Sequence, residues 1–407
     1  MRTTHLMLTS VALSCILSPT AVSAADWPQF RGPTGQGHSA ERGLPLEWSE
    51  AKNIAWKTPI AGLGWSSPVI RGDQIWLTTA TDEGHSLRAV CVSRSDGKVV
   101  HDVEVFRKDD PGKIHAKNSH ASPTPILEDD RVYVHFGAHG TACLDTSGKV
   151  RWKTELKYYQ RHGPGGSPAL FDDLMIISCD GFDSQYVVAL DKHTGEIRWK
   201  KERAGKHAYS TPLVIDVAGT PQAISTGGDR VVAYNPRTGD EIWSSRYVGY
   251  SCVPRPVYGH GLVFICSGFD EPWLWAIRPD GGGDVTDSHV GWKLSHGAPL
   301  NPSPLLVGDE LYIVSDNGIG SCLDAKTGER HWRERIGGNF SASPLFADGR
   351  IYFLNETGQA TTIAPGREFH KLAVSQLPGR TLASMAVSDG AIFLRTDTHL
   401  YRIQEQR

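Results

Sequence analysis

The sequence carries little net charge of either sign, few methionines and no long apolar run beyond its start. Lys and Arg total 42 against 45 Asp and Glu, a net charge of −3. Such a chain has no electrostatic reason to bind nucleic acid or an anionic membrane surface. After the first residues no apolar stretch reaches the about 18 residues that a membrane-crossing helix requires. The motif Cys-x-x-Cys-His is missing, which excludes haem attachment through it. Gly-x-Ser-x-Gly is missing too, which removes the usual hydrolase elbow. The glycine clusters at 163–166 and 281–283 lack the lysine and the strand–loop–helix setting of a phosphate loop. What is present is 43 Gly, 24 Pro and 12 Trp beside only 4 Met; Gly and Pro exceed their average share of about 12%. This composition describes a globular chain of many short strands joined by tight turns, without long helices.

Residues 1–25 have a basic start, an apolar run over 6–17 and small residues at 21–25, the pattern of a cleavable secretory signal peptide. The expected location of the mature chain, 26–407, is therefore periplasmic or secreted. Ala12-Leu13-Ser14 before Cys15 fits a lipobox poorly, so lipid attachment is not expected. An oxidising compartment permits disulfides. However, Cys143 and Cys322 occupy a repeat position held elsewhere by Ala189 and Ala233. Equivalent positions in different repeats lie too far apart for the roughly 6 Å Cα separation of a disulfide, so both are expected to be buried thiols. The pairing of Cys91, Cys179, Cys252 and Cys266 is left open.

Internal repetition is the strongest signal. Ser67-Pro68, Ser122-Pro123, Ser167-Pro168, Thr211-Pro212, Ser303-Pro304 and Ser343-Pro344 each precede apolar residues, with Arg255-Pro256 and Ser384-Met385 as degenerate copies. These eight phrases are spaced by 40–55 residues, a length suited to four short strands. In one unit the pattern predicts strands at 304–307, 311–315, 320–324 and 330–335, with Asp316-Asn317-Gly318 as a hairpin turn. The final unit supplies only 386–388, 391–395 and 400–403. The missing strand is expected from Asn53-Ile-Ala-Trp56-Lys-Thr at the other end of the chain, which would close the ring and remove two exposed sheet edges. The fold class is thus all-β: one eight-bladed β-propeller of four-stranded antiparallel blades, closed by an N-terminal strand, with no internal domain boundary.

A second phrase runs Asp191-Lys-His-Thr194-Gly195-Glu-Ile-Arg-Trp199, and recurs around Asn235 to Trp243 and Asp324 to Trp332, with a reduced form from Asp145 to Trp152. Asp or Asn holds the turn amides, Gly takes the left-handed position, and Trp covers the neighbouring sheet. Trp56 and Trp292 are assigned the same role, while the first and seventh units lack a Trp there.

These phrases resemble the repeat of pyrroloquinoline-quinone (PQQ) propellers over nearly the whole mature chain. The resemblance implies the propeller, and it implies one of two kinds of function: a quinoprotein dehydrogenase, or a non-catalytic relative such as the BamB-type propellers that scaffold outer-membrane protein assembly. Asp26-Trp-Pro-Gln-Phe-Arg31-Gly32-Pro33 looks closest to secreted PQQ-binding-like proteins. Alcohol-oxidising quinoproteins carry adjacent cysteines, and no Cys-Cys pair exists here. The leading expectation is an exported scaffold that binds a protein or peptide and needs no cofactor. The alternative is a PQQ-dependent oxidoreductase with Ca²⁺ in the axial channel, and carbohydrate binding through exposed Trp is a weaker third.

No residue is assigned a catalytic, cofactor-binding or metal-binding role. Two sets are candidates for a channel mouth or a partner surface. His115, Lys117 and His120 belong to a polar loop before the second blade; its two histidines alone are too few for a metal site that needs three or four ligands, and a solvated loop is its ordinary reading. Trp65, His162, Tyr209, Arg255, Asn301 and Asn339 lie on segments entering first strands, so repeat register brings them toward one end of the axis, where hydrogen bonding around a wet channel is the plainer role. Asp180, Asp270-Glu271 and Asp316 read as hairpin chemistry. Residues 268–275 contain Phe269, Trp273 and Trp275, either an aromatic anchor or strand packing.

Overall fold

The computed structural model describes residues 26–406; the expected signal peptide at 1–25 and Arg407 lie outside the described residues. Eight antiparallel sheets follow one another around an axis as an eight-bladed β-propeller. Blade 6 is representative, with strands Leu305–Val307, Glu310–Val314, Ile319–Asp324 and Arg330–Arg335 from the axis outward. Its second and third strands are buried on both faces because blades stack against blades. The hydrophobic core accordingly lies between neighbouring sheets, as where Trp76 and Ala89 of blade 1 meet Val132 and Ala142 of blade 2.

The ring closes as the sequence implies. Ile54–Pro59 pairs antiparallel with His399–Gln404, placing Ile54 opposite Ile403 and Thr58 opposite Leu400. Blade 4 has an additional short strand, Gly283–Asp284, parallel to Glu241–Arg246. It comes from the long connection inside blade 5 and seals Trp243, which is fully buried.

The Asp-Thr-Gly-Trp phrase is an inter-blade lock. The Asp191 carboxylate accepts the His193 and Thr194 amides at 2.8 and 2.9 Å, and Gly195 sits at φ +77°. Trp152 of the preceding blade lies flat on that glycine, where a Cβ would come within 2.5 Å of its ring. The indole N–H of Trp152 donates to the Lys192 carbonyl at 3.1 Å. Trp199, Trp292 and Trp332 reach the next blade in the same way, through the Pro236, Ala325 and Gly366 carbonyls at 2.9, 3.0 and 3.1 Å. Trp56 repeats the contact onto the Arg94 carbonyl of blade 1 at 2.9 Å, so the closing strand also fastens the last blade to the first. Cys143 and Cys322 sit opposite Trp152 and Trp332 on adjacent strands. All six described cysteines are buried and free, which answers the open question for Cys91, Cys179, Cys252 and Cys266.

The Ser/Thr-Pro phrase also has a structural cause, and its register in blade 2 is Thr124-Pro125, not Ser122-Pro123. A proline directly precedes the inner strand in seven blades and Met385 does so in the eighth; in blade 2 Ile126–Glu128 follows Pro125. Each hydroxyl accepts the backbone N–H of the equivalent residue one blade earlier. Ser67 donates to Thr124, Thr124 to Ser167, and Ser167 to Thr211, at 2.9–3.0 Å. Arg255 donates to Ser303, Ser303 to Ser343, Ser343 to Ser384, and Ser384 back to Ser67, at 2.9–3.1 Å. The circle is interrupted once, between Thr211 and Arg255, where blade 5 has no hydroxyl.

The residues before the closing strand do not lie outside the ring. Trp27 forms a bridge with Ile70 of blade 1, and the Pro28 carbonyl accepts the Leu127 amide of blade 2 at 2.8 Å. Gln36 Oε1 then accepts the Tyr258 amide of blade 5 at 2.7 Å, and Gly37 and Ser39 pair with Phe346 of blade 7 at 2.8 and 2.9 Å. All four contacts fall on the middle residue of an inner strand, so the segment crosses the axis and plugs it. The channel expected from sequence is therefore open at one end only.

Candidate functional site

Above the plug lies a cavity of about 580 Å³. Two tiers of side chains build its wall. The lower tier is the hydroxyl circle, with Phe30 of the plug beside it. The upper tier consists of the residue two positions earlier in every blade: Trp65, Ser122, Gly165, Tyr209, Val253, Asn301, Ser341 and Leu382. The two-residue step is the alternation of an extended chain, in which every second side chain faces the same way. Gly165 is required beside Tyr209, since a Cβ there would come within 2.7 Å of the Tyr209 Cβ.

Six of the nine candidates from sequence line this cavity: Trp65, His115, Lys117, His162, Tyr209 and Asn301. Three do not. His120 turns away into a separate depression with Leu63 and Ile114, packing on His139 with ring centres 5.8 Å apart. Arg255 stands in the lower tier, but its long side chain passes beneath the floor to the Phe30 carbonyl at 2.8 Å. Asn339 is exposed and uses its carbonyl to accept the Glu356 amide. Reading along the sequence missed Tyr250 and the hydroxyl tier, took Asp316 for hairpin chemistry alone, and left Phe269 between anchor and packing; all of them line the cavity. The upper tier was available from the repeat, by counting back two residues from each phrase.

The mouth has two unlike sides. On one, imidazoles and aromatic rings form an arc. The Tyr209 hydroxyl and His162 Nδ1 are 3.1 Å apart, His207 stacks on Phe182 at 3.9 Å, and Tyr250 links His207 to Phe269 at centroid distances of 5.1 and 5.7 Å. Arg161 and Lys206 lie over Phe182 and Tyr250. Burial holds His207 down at about 4 and also lowers His162, so both are neutral near pH 7. Phe269 is 51% exposed, whereas Trp275 packs on Tyr247 in a strand; residues 268–275 thus contain an exposed ring and a packed one.

The opposite side is polar and already paired. Lys117 Nζ meets Glu356 Oε1 at 2.8 Å, and the Ser341 hydroxyl donates to the same oxygen at 2.7 Å. The Asp316 carboxylate accepts the Leu300 and Asn301 amides at 2.7 and 3.3 Å and also the Asn301 side chain; burial raises its pKa. A calcium-bound quinone finds an ill-fitting donor set here. Asp316 is the carboxylate among the described lining residues, and N–H donors already occupy it. Lys117, the wall's ammonium, is taken by Glu356. Among the described residues no three His, Cys, Asp or Glu stand close enough to hold a metal ion.

Eight blades, Trp–Gly locks and a one-ended axial cavity define a PQQ-type β-propeller. The family described as "Outer membrane protein assembly factor BamB" matches residues 90–268 and 272–406, and the chain belongs to it. The chain is 25% identical over 206 residues to the outer membrane protein assembly factor BamB of Legionella pneumophila (strain Paris), covering 49% of this chain and 50% of that protein. It spans about half the length of the curated relatives it matches. The crystal structure of BamB from Moraxella catarrhalis aligns with a TM-score of 0.61 at 13% identity, over 86% of this chain and 99% of that one. Quinohemoprotein alcohol dehydrogenase from Comamonas testosteroni aligns with a TM-score of 0.66 at 12% identity, over 94% of this chain and 81% of that one. Likeness at that identity concerns the fold alone.

Proposed function

We propose that the chain is an exported, non-catalytic BamB-type scaffold whose open mouth holds a segment of a partner protein. The observation that carries this reading is Phe269, half-exposed yet part of the cavity wall, at the end of a continuous arc of rings. An exposed aromatic beside a concave site is the usual anchor of a protein contact. The neutral imidazoles of His162 and His207 supply polar groups without a net charge to satisfy. The relatives are named as assembly factors for outer membrane proteins, and we assign this chain a partner of that class. The leader-like pattern of 1–25 supports export.

A photo-crosslinking amino acid placed at position 269 tests the assignment in the producing cells, with position 219 on the opposite face as control. A defined protein adduct is expected from 269 alone. Phe269→Ala is expected to weaken the captured partner by about 2 kcal/mol, roughly 30-fold in Kd. Equal adducts from both positions would overturn the reading, as would saturable stabilisation by PQQ with Ca²⁺ and no adduct.

A further inference from the structure

Beneath the cavity floor, the plug brings together two guanidinium groups that the scaffold role does not use. Arg31 and Arg255 are 2% and 3% exposed. Each has one acceptor: Arg31 Nη2 donates to the Gln36 carbonyl at 2.9 Å, and Arg255 Nη1 to the Phe30 carbonyl at 2.8 Å. Arg31 Nε, Arg31 Nη1 and Arg255 Nε are buried with no partner. Both groups rest on glycine turns of the plug. A Cβ at Gly35 would stand 2.3 Å from Arg255 Nη1, and one at Gly37 would stand 2.8 Å from Arg31 Nη2.

The other deeply buried arginines meet more acceptors, although Arg395 Nε is also without a partner among the described residues. Arg203 pairs with the Asp180 carboxylate, and Arg395 Nη1 reaches three oxygens of Ser66 and Thr78 at 2.7–3.2 Å. Among the described residues neither Arg31 nor Arg255 has a carboxylate within ion-pair distance, and the charged neighbour that Arg31 feels is Arg255. A guanidinium remains protonated in a protein, and an uncompensated buried charge costs several kcal/mol. Two like charges that feel one another, with three buried N–H-bearing atoms left without a partner among the described residues, call for a counter-charge that those residues do not supply.

We propose that Arg31 and Arg255 bind a small inorganic anion of halide size, which fastens the N-terminal plug to blade 5. This explains why blade 5 breaks the hydroxyl circle: Arg255 takes the place of a Ser or Thr in order to reach the plug. It also gives the Phe30-Arg31-Gly32 stretch a role independent of any partner at the mouth.

Chloride-35 NMR of the mature chain tests the site. Excess line broadening is expected with the unaltered protein and is expected to vanish in Arg31→Gln and in Arg255→Gln. Equal broadening in all three would overturn the proposal. Because either variant risks losing the plug, crystals of the unaltered protein grown in bromide give a second reading. An anomalous peak within hydrogen-bond reach of both guanidiniums is expected, and its absence would refute the site. Neither readout depends on the aromatic arc, so failure here leaves the scaffold reading untouched.

Discussion

Replacing Gly195 by alanine measures what one inter-blade lock contributes, provided that backbone strain is separated from the clash. Gly195 and Gly219 have nearly the same backbone, φ +77° and +84°, but Gly195 lies under Trp152 whereas a Cβ at Gly219 meets nothing within 4 Å. An L-residue in the left-handed region costs about 1–2 kcal/mol, and the gain from a stiffer unfolded chain is common to both sites. Gly219→Ala is therefore expected to cost strain alone. Gly195→Ala adds a methyl 2.5 Å from the Trp152 ring and 2.7 Å from Thr154 Oγ1, overpacking worth a further 1–3 kcal/mol or so. In a Trp152→Leu background most of that increment should disappear, leaving a coupling energy of about 1–3 kcal/mol. Urea denaturation of the four variants and the parent gives each term from the midpoints and a common slope. If Gly195→Ala and Gly219→Ala fall within about 0.5 kcal/mol of each other, the ring is not locked through these contacts.

Two further outcomes are expected. His135 is 1% exposed, contacts Thr141 Oγ1 at 2.7 Å, and is held down by burial to about 3. Its pKa is depressed from an unfolded value of roughly 6.5, so the unfolded chain takes up a proton that the native state refuses. Stability is therefore full above that value and is lost as pH falls toward the folded one, at about 1.4 kcal/mol per pH unit. His139 and His207, both at about 4, act in the same direction. His135→Gln should flatten the stability–pH slope below pH 6 by about one proton, and an unchanged slope would show that His135 titrates normally. In the hydroxyl circle, Ser303→Ala removes the acceptor of the buried Arg255 amide and should cost about 1–3 kcal/mol. Ser303→Thr keeps the oxygen, as Thr124 and Thr211 do, and should recover most of the loss in thermal unfolding; equal melting of the two variants would refute the circle's role.

Legibility followed the repeat. The Trp152 and Gly195 phrases were readable because each unit states the same local chemistry, and eight statements outweigh one degenerate copy. The borrowed strand at Ile54 was readable because a unit lacking a strand leaves an unpaired edge. The register error at Ser122-Pro123 arose because blade 2 carries Ser-Pro-Thr-Pro, two overlapping candidates, and only the start of Ile126–Glu128 decides between them. The cavity wall was partly readable. Trp65, Tyr209 and Asn301 lie two residues before the phrase, whereas His120 and Asn339 lie four before it, His120 in a turn and Asn339 outside any strand, where alternation no longer fixes direction. Arg255 stands at the phrase position, but its long side chain leaves for the Phe30 carbonyl. Asp316 looked like an ordinary hairpin residue, and its contact with Asn301 depends on a loop from the preceding connection folding across it.

By itself the sequence determined the architecture: the number of blades, the order of strands, the Trp–Gly locks and the join between the two ends. These are local or nearest-neighbour matters, set by turn chemistry, alternation and the avoidance of a free edge. Only the tertiary structure decided that residues 27–39 thread the axis, that the pore is blind, and that Arg31 meets Arg255 beneath its floor. The plug segment has no repeat to fix its register, and its contacts join residues more than 200 positions apart. Such a meeting depends on the curvature of the completed ring, a property of all eight blades together.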